Sequence, residues 1–144
     1  MSDQSLRVLT AYNELWKPGG LDAVERVIHP RFVRHGRSGE FTGVPAFARY
    51  VTHYTDAFPD LRFTVDDWMA RGARIAIRYS LTGIHRGSFM GAVATGRPIA
   101  ADGVAIYSVS DSKLAELWDY LDLLTIAEQL DVPVQSIDPS LSWK

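Results

Sequence analysis

The stretch RPIAADGVAIYSVSDSKLAELWDYLD, residues 97–122, decides the fold. Alternate residues of a β-strand share a face. In the second half, Leu117, Asp119 and Leu121 therefore point one way, and Glu116, Trp118, Tyr120 and Asp122 the other. The first half is also apolar on both faces, and SDSK (110–113) joins the two. Strands covered on both sides are usually central in their sheet. An ionised acid in such a strand is costly unless it has partners, so its carboxylates raise the question of what they do.

Outward from this hairpin, the period-two pattern continues upstream. In LRFTVDDWM (61–69), Leu61, Phe63, Val65 and Met69 alternate with Arg62, Thr64 and Asp66. In RIAIRYSLTGIH (74–85), Ile75, Ile77, Tyr79 and Leu81 alternate with Arg78, Ser80 and Thr82, and ARGA (70–73) is the tight turn between them. Earlier still the period is helical. Leu6, Leu9, Tyr12, Leu15 and Trp16 form one stripe, stopped by KPGG (17–20). LDAVERVI (21–28) predicts a shorter helix ending before His29 and Pro30, and RFVRH (31–35) a short strand followed by a loop, GRSGEFTG (36–43). Val44, Phe47, Val51, Tyr54 and Phe58 form a third helical stripe, with Thr42 as its expected N-cap and Pro59 beyond its end. Helices first and antiparallel strands later describe an α+β domain with the helices on one sheet face. The other face is most economically covered by a second copy, so a homodimer or homotetramer is expected.

A chain of 144 residues, 47% of them hydrophobic, suits a single domain over 1–144, with a core of about 5–130 and a tail at 131–144. The net charge of −2 leaves no basic footprint for nucleic acid. The absence of cysteine excludes disulfides, thiol nucleophiles and thiolate metal sites. The start MSDQSLRVLT has no signal-peptide pattern, and no apolar run approaches the about 18 residues of a membrane span, so a soluble cytoplasmic protein is expected.

Burial among leucines and aromatics raises a carboxyl group's pKa toward neutrality, which suits a general base or acid. Asp119 leads the candidates, because Leu117 and Leu121 make its surroundings the least polar. A carboxylate that only accepts hydrogen bonds and fixes the fold is the competing reading of the same residue. Glu116 and Asp122 read as structural, with Asp122 in reserve because a bulge would reverse the parity. His85 ends a strand on the parity of Tyr79 and Leu81, and His35 adjoins the 36–43 loop; both are candidate acid/base groups. His29 reads as a helix terminator, and His53 falls on the polar side of its helix. Trp16, Phe32, His35, Phe47, Tyr54, Phe58, His85, Phe89 and Tyr107 are the candidate pocket lining, about half of them expected to touch the cavity, the rest ordinary core. The chain has no HExxH or paired-carboxylate metal loop, no Gly-rich phosphate cradle and no G-x-S-x-G elbow, so neither a metal nor serine acyl chemistry is expected.

Residues 57–91, AFPDLRFTVDDWMARGARIAIRYSLTGIHRGSFMG, and 95–130, TGRPIAADGVAIYSVSDSKLAELWDYLDLLTIAEQL, resemble the SnoaL-like polyketide cyclases of the nuclear-transport-factor-2-like superfamily. The most specific pieces are AFPDLRF, GIHRGSFMG and the closing E-x-W-D-x-x-D followed by QL. The resemblance implies an α+β cone with a curved, mainly antiparallel sheet. It implies a cofactor-free enzyme acting on a polycyclic aromatic polyketide ester, with Asp119 removing a proton from a carbon beside carbonyls so that the carbanion closes a ring by aldol addition. Such cyclases carry a histidine opposite the aspartate, where this chain has Ala105; the commonly polar position two before the aspartate is Leu117, and Asp102 has the opposite parity. Relatives on the scaffold have been assigned to hydroxylation, epoxide opening or isomerisation, and fold does not fix the reaction. Two classes stay open: a cyclase or related acid/base enzyme, and a non-catalytic module that binds an apolar small molecule or is filled by its own side chains.

Overall fold

The computed structural model describes residues 3–36 and 39–133. Helix α1 (Asp3–Glu14) leads to a 3-10 turn (Gly20–Ala23) and the single turn of α2 (Val24–Val27). Strands β1 (Ile28–Gly36) and β2 (Gly39–Thr42) precede helix α3 (Val44–Ala57). Strands β3 (Arg62–Arg71), β4 (Arg74–Ile84), β5 (Pro98–Ser110) and β6 (Lys113–Leu121) follow, then helix α4 (Leu123–Leu130). The strands form one open sheet in the order β2-β1-β6-β5-β4-β3. All neighbours are antiparallel except β1 and β6. This is the expected α+β architecture, and β5 and β6 are central as their two-faced apolarity requires.

The inner sheet face buries Ile75, Ile77, Tyr79 and Leu81 of β4 and Ile99, Ala101, Ala105 and Tyr107 of β5. Against it pack Leu9 and Tyr12 of α1 and Phe47, Val51 and Tyr54 of α3, all buried. Irregular register between Val65 and Asp67, and between Ser108 and Val109, bends the strands around these helices. The β5–β6 hairpin turns on Asp111 and Ser112, both at positive φ, the conformation that matches strand twist in two-residue turns.

Several sequence expectations need correction. The bulge after Val65 reverses the parity of β3, so Met69 is exposed and Trp68 and Ala70 pair with the buried stripe of β4. Gly43, at φ 90, occupies the N-cap of α3, while Thr42 belongs to β2. The segment read as a loop pairs with β1 through β2 as a short hairpin. His29 lies in β1 rather than ending a helix, and its Nε2 donates to Asp111 over 3.0 Å. Helix α4 was not anticipated. The tail from residue 134 onward lies outside the described residues. Among the described residues no helix is long and apolar enough to cross a membrane.

Candidate active site

Strand β6 turns Asp119 to the inner face, between buried Leu117 and half-buried Leu121, and opposite Ala105 in the β5–β6 ladder. Tyr50 of α3 donates to its Oδ2 over 2.5 Å. Tyr79 of β4 donates to its Oδ1 over 2.6 Å. Tyr79 pairs with Gly103 on β5, and a Cβ at Gly103 would overlap the phenol's Cζ and hydroxyl. Gly103 and Ala105 thus clear the path by which Tyr79 crosses β5 to reach the carboxylate on β6. Arg34 of β1 lies over the Tyr50 ring, 5.0 Å from its centroid, a cation–π arrangement.

Burial raises the Asp119 carboxyl above its usual pKa; the hydrogen bonds from Tyr50 and Tyr79 and the charge of Arg34 oppose this without cancelling it. Burial, and then the Asp119 charge, push both phenols up, so both remain protonated donors. The arrangement is a carboxylate of raised proton affinity with two phenol O–H donors fixed on it, which suits proton transfer to and from carbon. Asp119 and its two tyrosines share a cavity with Trp16, Tyr54, Phe63, Leu81 and Leu121. Its volume is about 10 Å³, room for about one water and far below the roughly 300–1,000 Å³ of small-molecule sites.

Of the candidates named from sequence, the fold brings Trp16 and Tyr54 to this cavity together with Asp119. Phe32, Phe47 and Tyr107 are interior packing: Phe47 meets Phe32 at 5.3 Å between ring centroids, and Tyr107 meets Tyr12 at 4.9 Å. Phe58 and Phe89 stack edge-on with each other at 5.2 Å, behind Tyr54, whose ring lies 5.5 Å from that of Phe89. His85 is fully buried behind Phe58, and its Nδ1 accepts the Thr95 backbone N–H over 3.2 Å. Burial holds its pKa below the usual histidine value.

His35 lies on the opposite sheet face from Asp119, stacked on Trp118 at 4.6 Å and bonded to Glu116 over 2.8 Å and Glu40 over 2.7 Å. Asp122 is exposed and caps α4, accepting the Thr125 backbone N–H over 3.1 Å. That bond and the one from the Thr125 hydroxyl lower its pKa. Asp102 is exposed on the outer face, as its parity requires. Tyr50, Phe63 and Tyr79 were not singled out, although Tyr50 stands one helical turn before Tyr54 and Tyr79 lies on the inward stripe of its strand.

The fold and site together define an α+β cone enclosing a half-buried, phenol-bonded carboxylate. The chain belongs to the SnoaL-like polyketide cyclase family, whose model matches residues 6–130. It is 28% identical over 131 residues to the aklanonic acid methyl ester cyclase DnrD of Streptomyces peucetius, covering 88% of each chain. Among solved structures, TsrD from Streptomyces laurentii superimposes with a TM-score of 0.83 at 20% identity, over 92% of this chain and 99% of that one. IdmH of Streptomyces antibioticus, a proposed polyketide cyclase, superimposes with a TM-score of 0.78 at 26% identity, over 91% of this chain and 100% of that one.

Proposed function

We propose that the chain is a cofactor-independent cyclase in which Asp119 is the general base for an intramolecular aldol-type ring closure of an aromatic polyketide. The observation that carries this reading is the Asp119 carboxylate on the cavity wall, raised in proton affinity and held between Tyr50 and Tyr79. Asp119 takes a proton from a carbon flanked by carbonyls. The electron pair left on that carbon adds to a carbonyl carbon of the same molecule. The resulting alkoxide takes a proton back from the Asp119 carboxylic acid, directly or through a phenol bonded to it. The product is an isomer of the substrate, and no oxidant or reductant is consumed. An aromatic wall that holds the substrate in one folded pose removes the orientational entropy of closure.

The substrate in DnrD's name, aklanonic acid methyl ester, is the first probe. Asp119→Asn keeps the side chain's shape and removes the base, which typically costs about two to four orders of magnitude in rate. A folded Asp119→Asn protein with wild-type turnover would refute the role of Asp119, and a wild-type protein with no turnover would refute this substrate class.

A non-catalytic module is the second reading, favoured by Ala105 opposite Asp119, where the resemblance implies a histidine; the small cavity fits its form in which the cone is filled by its own side chains. Ligand binding by wild type and Asp119→Asn alike, with no chemistry in either, would decide for it.

A further inference from the structure

A second cleft lies at the far end of β6 from Asp119. It has a volume of about 190 Å³ and opens between α1, α2 and the β5–β6 turn. Its lining shares no residue with the cavity of Asp119. Ser112 on its edge precedes Asp119 by about 23 Å of extended strand. Gln4, Arg7, Val8 and Ala11 reach the cleft from one face of α1, at helical spacing. Val8 and Val27 are buried and Ala11 is half-buried, while Gln4, Arg7, Arg26 and Ser112 are exposed. The cleft thus has an apolar floor and a polar rim.

The rim holds positive charge that nothing in the fold engages. Among the described residues, neither the Arg7 nor the Arg26 guanidinium has an ion pair or a hydrogen bond. None of the described residues that line the cleft is acidic. The charged neighbours of Ser112 are occupied elsewhere: Asp111 pairs with His29 over 3.0 Å, and Lys113 Nζ donates to the Glu25 carbonyl over 2.8 Å. Gln4 Nε2 donates to Ser112 Oγ over 2.8 Å, which leaves the Ser112 hydroxyl hydrogen free to donate. The bonds from Gln4 and Lys113 tie α1 and α2 to the turn, so the walls stand in place before any ligand arrives. Two guanidinium groups on one small cleft repel each other, and an anion shared between them turns that cost into attraction.

We infer that this cleft is a binding site for a small phosphomonoester, its phosphate held by Arg7, Arg26 and Ser112 and its carbon group laid on Val8, Ala11 and Val27. A phosphomonoester has three acceptor oxygens, enough for guanidinium forks from two separate elements and a hydroxyl besides. A carboxylate is satisfied by a single arginine fork and leaves the second arginine idle. An ester is favoured over free phosphate because the floor is apolar, and carbon covers such a surface better than an anion does. The volume of about 190 Å³ lies below the roughly 300–1,000 Å³ of drug-sized ligands, so the molecule is a short one. The site stands apart from the chemistry at Asp119 and does not depend on it.

Isothermal titration of the full chain with propyl phosphate, in phosphate-free buffer, tests this, with inorganic phosphate and butyrate titrated alongside. Propyl phosphate should bind saturably, at least about tenfold more tightly than either comparison anion. Arg7→Gln and Arg26→Gln should each weaken it by at least about tenfold. Arg62→Gln removes the same charge from an exposed position on β3 and should leave binding unchanged. All three arginines are exposed, so the variants should keep the fold, which circular dichroism checks. In methyl NMR spectra the Val8 and Val27 signals should shift as the ester binds. No saturable binding by wild type overturns the inference. So does equal weakening by Arg62→Gln, binding of butyrate or inorganic phosphate as tight as that of the ester, or binding that leaves both valine signals unmoved. Asp119→Asn should bind the ester as wild type does, and none of these outcomes depends on turnover.

Discussion

Tyr79 reaches Asp119 diagonally across β5, its hydroxyl donating to Oδ1 over 2.6 Å above a strand that carries only Gly103 and Ala105 at the crossing. The bond exists because both positions are small.

Gly103→Ala should therefore disturb the site without touching the carboxylate. Its Cβ would overlap the Tyr79 ring end, and over-packing of this kind typically costs about 1–3 kcal/mol. With Tyr79 displaced, Asp119 loses a donor that lowers its pKa, so that pKa rises further. Chemical denaturation and NMR titration of the Asp119 carboxyl check the two effects. Tyr79→Phe should reproduce the second; an unchanged Asp119 titration in both variants would disprove the coupling.

Asp119 also sets a pH dependence of stability. Its folded pKa is raised, so the folded state binds its proton more tightly than the unfolded chain does. Stability from this group is complete below the unfolded pKa of about 3.9 and falls as pH rises through the folded value. Denaturation across this range should show a decline in wild type that Asp119→Asn lacks.

His35 works on the other face. Its hydrogen bond to Glu116 raises its pKa, burial opposes this, and Glu40 adds to the rise. Its contribution is complete below the unfolded histidine value of about 6.5 and is lost as pH rises through the raised folded value. Melting temperatures of wild type and His35→Gln should converge through that window.

Asp122→Ala removes the cap of α4. A lost N-cap costs about 0.5–2 kcal/mol, and turnover should be unchanged because Asp122 is exposed and outside the cavity. Denaturation and a turnover assay on the same preparation test both statements.

The outer sheet face exposes Met69, Val104, Ile106 and Tyr120, the contact through which we propose that two copies associate. Light scattering should give a dimer or tetramer for wild type and a smaller species for Ile106→Glu. A monomeric wild type would end the proposal.

Most of the sheet was legible because β4 and most of β5 alternate without interruption, and the same parity from Leu117 to Leu121 of β6 turns Asp119 inward. The same rule contains a lesson about His35: it stands three positions after Phe32 on one strand, so the two face opposite ways and could not line one pocket. The bulge after Val65 carries no comparable mark, since a shift of one residue leaves composition unchanged. Strand β2 is too short for a period to show. Helix α4 follows β6 with no break in apolarity, and only Asp122, structural by its place in the sequence, marks its start as the cap. At the site, Trp16 and Tyr54 were found as aromatic stripe members. Tyr79 and its bond depend on what is missing from β5, and absent side chains are hard to read as design.

The parallel pairing of β1 with β6 joins residues such as His35 and Glu116, 81 positions apart. Contacts so distant along the chain form slowly, because a long loop must close before they return any stability. As synthesis proceeds, β1 emerges early and keeps an unpaired edge until β6 follows. Tyr50 and Tyr79 are by then already made. The strand that closes the sheet is also the one that delivers Asp119, so completion of the fold and arrival of the carboxylate are a single event. A chain stopped before β6 should be an edge-exposed, aggregation-prone fragment with no activity at all, rather than a weakened enzyme.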